Sequence, residues 1–221
     1  MADLNRLSEL VERLRKEAIG EPTWNEEKQV FEYSEHSEKV VVVLKIIRAV
    51  QGLHALDVLC SVGLFVDFGV IVRCVYDCVY EVHFLLENFP EASGNTTQFV
   101  EIFFSSTIDG DLSHDTTAVP TKKIRNAMVR TLKGCDDEQM RAVIDRIYKT
   151  FCGYVHANYV HVMEMYNGGT KSFNLSGVPS QQQRRMRMAH VEEATKIVAN
   201  TTAITAAAFG LNDLYREILE S

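Results

Sequence analysis

The stretch GLFVDFGVIVRCVYDCVYEVHFLLENF, residues 63–89, lies in the longest apolar zone of the chain and decides the fold. Its apolar run predicts one long buried helix from about Leu64 to Asn88. Pro90 ends this helix, because a proline cannot continue the helical hydrogen bonds. We expect no membrane span here, because four charged residues interrupt the zone: Asp67, Arg73, Asp77 and Glu81.

Helical patterns also dominate the rest of the chain, which has only 4 Pro and 12 Gly among 221 residues. The run VVVVLKII, residues 40–47, could form a strand by propensity, but its apolar spacing favours a buried helix. Asp136 and Gln139 read as a capping box that begins a helix at about Asp137. The predicted helices cover about 2–19, 24 to beyond 50, 64–88, 122–132, 137–166 and 181–220, with 167–180 as the clearest linker.

Short loops between long helices place neighbouring helices antiparallel in a bundle. The sequence therefore predicts an all-α fold, an antiparallel helical bundle with an N-terminal helical extension. Residues 1–23 are predicted to form the amphipathic extension, and residues 24–221 the bundle domain.

Composition and charge restrict the functional classes. The net charge of -7, without a polybasic tail, argues against bulk-charge binding of nucleic acid, although a local site for RNA stays open. The N-terminus lacks a signal-peptide apolar stretch, so we expect a soluble cytoplasmic protein that does not enter a membrane. No complete metal-ligand pattern or cofactor motif is present in the sequence, so we expect neither a metal nor a cofactor. Free thiols are expected at Cys60, Cys74, Cys78, Cys135 and Cys152.

Three charged residues recur at four-residue spacing within the apolar zone, so Arg73, Asp77 and Glu81 lie on one side of the predicted helix. A buried guanidinium without a partner costs roughly several kcal/mol, so Arg73 requires an acid, and Asp77 is the local candidate. Glu81 would extend the row. The pair is either an internal ion pair that fixes the helix or an arginine held ready for an anion or a catalytic partner.

A second polar phrase, YKTFCGYVHANYVHVMEMY, covers residues 148–166. His156 and His161 are five residues apart and would point in different directions from one helix. His156 would cluster with Cys152, Tyr159 and Val160, whereas His161 would share a face with Tyr154, Asn158 and Met165. Each histidine is either an ordinary hydrogen-bonded residue or part of a site.

Together the two phrases resemble a bacterial family of uncharacterised helical proteins that is related to the HEPN superfamily. The resemblance rests on Arg73 with Asp77 in one helix and on Tyr154, Val155 and His156 in a later one. It implies a helical bundle, often dimeric, and sometimes a role in phage defence or a toxin–antitoxin system. Active HEPN proteins are metal-independent ribonucleases in which four to six residues separate an arginine from the histidine that follows it. Lys149, Thr150 and Phe151 occupy those positions here, so a catalytic guanidinium would have to come from elsewhere.

Three functions follow as hypotheses. The first is a non-catalytic, degenerate HEPN-like interaction module whose partner is a second copy of the chain or a protein from the same operon. The second is an endoribonuclease in which His156 transfers a proton while Arg73, held by Asp77, stabilises the charged transition state. The third is a small-ligand sensor with Arg73, His83 and His156 around a pocket.

Further residues are candidates for each hypothesis. Arg185 and His190 repeat the nuclease spacing in a basic segment and form a secondary candidate pair. The predicted ligand- or partner-binding residues are Glu81, Tyr154, Asn158, Tyr159 and His161.

Overall fold

A computed structural model describes residues 4–105, 118–134 and 137–221. Helices dominate these residues, which confirms the predicted all-α bundle, and two short hairpins supply the strands. In chain order the elements are α1 (Leu4–Ala18), β1 (Thr23–Asn25), β2 (Val30–Glu32), α2 (Glu38–Val62), α3 (Phe65–Leu86), α4 (Gly94–Ser105), α5 (Thr121–Lys133), α6 (Glu138–Val155), α7 (Tyr159–Met163), β3 (Tyr166–Asn167), β4 (Ser172–Phe173), α8 (Gln181–Ala208) and α9 (Asn212–Glu220).

The central element of the bundle is α3, which packs against α2, α5, α6 and α8. A two-residue connection joins α2 to α3, so the two helices run antiparallel. Gly63 ends α2 with a φ of 80°, a left-handed conformation that glycine adopts without steric cost. The run 40–43 is helical and fully buried, as its spacing predicted.

Helix α1 packs against α2, α8 and α9. It buries one apolar stripe, because its leucines and valine recur at helical spacing. The stripe belongs to the same core as the rest of the bundle and comprises Leu7, Leu10, Val11 and Leu14. Among the described residues, no helix has both the length and the apolarity to cross a bilayer.

The predicted helix that starts near Trp24 is wrong at its beginning. Residues 23–32 form an antiparallel hairpin instead, and the helix starts only at Glu38. The side chain of Asn25 accepts hydrogen bonds from the backbone amides of Glu27 and Lys28, which favours a turn over a helix. Trp24 and Phe31 face each other across the strands, with ring centroids 5.0 Å apart.

The predicted helix 137–166 is also wrong at its end. Helix α6 stops at Val155, and Ala157 has a φ of 48°, which turns the chain before the short helix α7. Asp137 caps α6 by accepting a hydrogen bond from the Met140 backbone amide. The predicted capping residue Asp136, like Cys135, lies outside the described residues. The final helix is split near Gly210 into α8 and α9, and the predicted linker contains the β3–β4 hairpin.

Candidate functional site

Arg73 lies in the middle of α3 and is 9% exposed. Its guanidinium forms an ion pair with Asp77 one turn further along the helix, as the spacing predicted. The same guanidinium lies over the ring of Tyr148 on α6, 3.9 Å from the ring centroid. The carboxylate and the aromatic face together compensate the desolvation of this cation.

A second buried arginine completes this arrangement from α5. Arg125 donates to Asp145 on α6 at 2.8 Å, and its guanidinium also lies 3.8 Å from the centroid of the Tyr148 ring. One tyrosine ring thus contacts two guanidinium groups, and each guanidinium has its own acid. We call these five residues the paired cluster: Arg73, Asp77, Arg125, Asp145 and Tyr148. It ties α3, α5 and α6 together.

A cavity of about 240 Å³ borders the paired cluster, and we call it the α5 cavity. Arg73 and Arg125 line it together with Asp77 and Glu81, so its described charged residues balance. Glu81 does not extend the Arg73–Asp77 pair as predicted, since its carboxylate binds Lys45 on α2 at 2.6 Å. The Tyr80 side chain also lines the cavity, and burial raises the pKa of its phenol.

His156 lies away from the paired cluster. It caps the C-terminus of α6 and is exposed, eight residues beyond Tyr148, which is about 12 Å along the helix axis. The structure therefore does not bring Arg73 and His156 together. The turn at Ala157 also removes the predicted grouping of His156 with Tyr159, and Asn158 and Tyr159 are both exposed.

His83, the third member of the predicted sensor pocket, is buried in the core. Its Nε2 lies 3.3 Å from the hydroxyl of Thr201 on α8. Burial lowers the pKa of His83 to about 4. Because this contact connects α3 to α8, we assign His83 a structural role in the core.

Tyr154 and His161 do meet, although they lie on different helices. Their ring centroids are 4.1 Å apart, because α7 folds back onto the end of α6. The approach requires Gly153, where an added Cβ would lie 2.2 Å from Cε1 of His161. The Tyr154 hydroxyl donates to Glu164 at 2.7 Å, and burial followed by this hydrogen bond raises the pKa of Tyr154 to about 12.

Arg187 on α8 connects this end of α6 to a second cavity. Its Nη2 donates to Glu164 at 2.6 Å and to the Tyr154 hydroxyl at 3.3 Å. The cavity lies between α3, α6 and α8 and has a volume of about 310 Å³; we call it the α8 cavity. The main lining side chains are Phe68, Arg146, Phe151, Tyr154, Arg187 and His190.

His190 faces the α8 cavity, but the predicted partner Arg185 does not line it. Arg185 is exposed, five residues away and on another side of α8, whereas Arg187 is three residues away on the same side. Burial and then the charge of Arg187 lower the pKa of His190. A neutral imidazole therefore lies beside a guanidinium.

Sequence reasoning missed Arg125, Asp145, Tyr148, Arg146 and Arg187 as site residues. Each belongs to a different helix from the charged row of α3, and nothing in local spacing links them to it.

Among the described residues, no group of three potential metal ligands comes together. Comparison of the chain with protein-family models, curated proteins and solved structures finds no match. The resemblance to HEPN-related proteins therefore stays a prediction.

Proposed function

We propose that the protein is a non-catalytic helical interaction module, a degenerate relative of HEPN proteins, that associates with a second copy of itself. The observation that carries this proposal is a group of exposed apolar side chains on the short segment that begins at the end of α6. Leu175 is 80% exposed and Tyr159 78% exposed, values typical of side chains that have no intramolecular packing. We call this surface the end patch: Val155, Tyr159, Val160, Tyr166, Phe173 and Leu175.

The end patch is formed by one short segment, residues 155–175. The segment closes the end of α6, forms α7 and returns as the β3–β4 hairpin, in which Tyr166 and Phe173 pack at 5.2 Å between ring centroids. The contacts of Tyr154 with His161 and Glu164 hold the segment against the bundle. A partner would therefore meet a preorganised surface, which lowers the entropic cost of binding.

Charge favours a second copy as the occupant. The segment 155–175 contains one acid, Glu164, and one lysine, Lys171, although the whole chain carries a net charge of -7. Arg187 already neutralises Glu164. In a two-fold dimer each patch meets itself, and a nearly neutral apolar patch does so without like-charge repulsion.

The paired cluster supports the non-catalytic part of the proposal. Arg73 and Arg125 are both bound to carboxylates, so neither presents an uncompensated charge to a substrate. His156 is exposed and distant from both. The endoribonuclease alternative with His156 and Arg73 therefore has no geometric support, and the alternative sensor pocket with His83 has none either. The setting in phage defence or toxin–antitoxin function, which the resemblance implies, stays a prediction.

Sedimentation equilibrium tests the proposal with two matched aspartate variants. The wild-type protein is expected to have twice the chain mass, and Leu175→Asp is expected to be monomeric because a dimer would bury two new carboxylates. Phe31→Asp is the control, since Phe31 is 67% exposed on the β1–β2 hairpin, outside the end patch, and the dimer should persist. A wild-type monomer at all concentrations would refute self-association and leave only a different protein as partner. Equal dimerisation of both variants would place the interface elsewhere.

A further inference from the structure

We propose that the α8 cavity binds a small ligand with a flat aromatic ring and one anionic group. The inference is independent of self-association, because this cavity lies between α3, α6 and α8 and does not include the exposed side chains of the end patch.

The size and the walls of the cavity define the apolar part of the ligand. A volume of about 310 Å³ is at the lower end of the range typical of small-molecule sites. Phe68, Phe151 and Tyr154 supply aromatic walls. The rings of Phe151 and Tyr154 lie nearly parallel, with an interplanar angle of 28°. Such walls favour a planar ring, which gains from stacking as well as from burial.

The narrow approach between α3 and α6 fixes one wall. At Gly69 an added Cβ would lie 2.2 Å from Cγ of Tyr154, so the tyrosine ring packs directly on the backbone of α3. The Tyr154 hydroxyl is held by Glu164 and Arg187. The ring is therefore held in place before any ligand arrives.

The charges define the polar part of the ligand. Arg146 and Arg187 both line the cavity, and its described lining includes no acid. Arg187 is neutralised by Glu164 through Nη2, which leaves its Nε and Nη1 as further donors. Arg146 has no ion-pair partner among the described residues. Two guanidinium groups against one carboxylate leave a single positive charge, which matches a monoanion.

His190 and Thr150 complete the lining with groups that suit the same ligand. A neutral imidazole can donate one hydrogen bond, and the hydroxyl of Thr150 can donate another. By contrast, the α5 cavity has balanced charges along its described lining, so it offers an anion no net attraction.

Calorimetric titration with a matched pair of probes tests the proposal. Naphthoate has the ring and the anion, whereas naphthamide has the same shape without the charge. We expect naphthoate to bind at least about tenfold more tightly, because hydrogen bonds to a charged group contribute more than neutral ones. Equal affinities, or no saturable binding of naphthoate, would overturn the proposal.

Two arginine variants locate the site. Arg146→Gln is expected to weaken naphthoate about tenfold and to leave naphthamide unchanged. Arg185→Gln removes a charge that is also exposed but lies outside the cavity, and it should change the affinity for neither probe. Thermal melting shows whether each variant is folded, and both should be, because both side chains are exposed. If both variants bind naphthoate as the wild type does, the ligand does not occupy this cavity.

Discussion

The two sides of helix α6 carry guanidinium groups in opposite electrostatic settings. On the α5 side, Arg73 and Arg125 each bind a carboxylate and share the ring of Tyr148. On the α8 side, Arg187 binds Glu164, but Arg146 lines a cavity and has no ion-pair partner in the described part of the chain. Among the described residues, the balanced charges on the α5 side offer an anion no net attraction, whereas Arg146 on the α8 side attracts one. The comparison thus separates an architectural region from a binding region on one helix.

The largest expected effect concerns His83, which lies in the core and lines neither of the two cavities. Burial lowers its pKa to about 4, so below pH 6.5 the unfolded chain takes up a proton that the folded chain does not. Stability is therefore fully present above pH 6.5 and falls as the pH drops towards 4, by about 3 kcal/mol from this group. Urea unfolding at several pH values should show a smaller loss for His83→Gln than for the wild type. If the free energy of unfolding falls equally with decreasing pH in both proteins, His83 is not buried in its neutral form.

The next effect tests the paired cluster. Asp145→Ala leaves Arg125 buried without its carboxylate, and we expect the free energy of unfolding to fall by about 2 to 3 kcal/mol. Asp213→Ala is the matched control, because the Arg216–Asp213 pair has side chains that are 69% and 85% exposed. An exposed pair contributes at most about 1 kcal/mol. Urea unfolding of both variants at neutral pH measures the difference, and equal losses would remove the architectural role of the cluster.

A somewhat smaller effect tests the α8 side. Gly69→Ala places a methyl group against the Tyr154 ring, and overpacking of this kind costs about 1 to 3 kcal/mol. It should also abolish naphthoate binding, because Tyr154 must move from its place in the cavity wall. Gly94→Ala is the control, since an added Cβ there meets nothing within 4 Å. If Gly69→Ala keeps both the stability and the naphthoate affinity of the wild type, the tight packing of α3 on α6 is wrong.

Part of the paired cluster could be predicted from the sequence, and the rest could not. Arg73 and Asp77 are one turn apart on a single helix, so spacing and apolar neighbours were enough to predict their pairing. Arg125, Asp145 and Tyr148 come from α5 and α6, and only the packing of those helices brings them to Arg73. Contacts between residues of different helices depend on how the helices cross, and they leave no periodic pattern in the sequence.

The failed grouping of Arg73 with His156 has a different cause. His156 lies at the exposed end of α6, about 12 Å along the helix axis from Tyr148, and it is Tyr148 that contacts Arg73. The predicted helix 137–166 is wrong for a separate reason, because the left-handed residue Ala157 interrupts it. Alanine is not among the residue types that are enriched in this conformation, so its sequence position did not indicate the turn. The same turn creates the contact between Tyr154 and His161 that spacing on a single helix could not produce in this form.

The smallest expected effect compares the histidines in the two settings. Burial and the charge of Arg187 lower the pKa of His190, so stability from this group is also present above pH 6.5 and is lost as the pH falls below it. The loss should be smaller than for His83, because His190 is partly open to solvent.

A bound anion adds a negative charge beside the imidazole and should raise the pKa of His190, while the pKa of His83 stays unchanged. NMR titration of both imidazoles with and without naphthoate measures this. If the pKa of His190 does not change when naphthoate binds, the anionic group lies away from Arg187 and His190, and the proposed contact of the anion with these two residues is wrong.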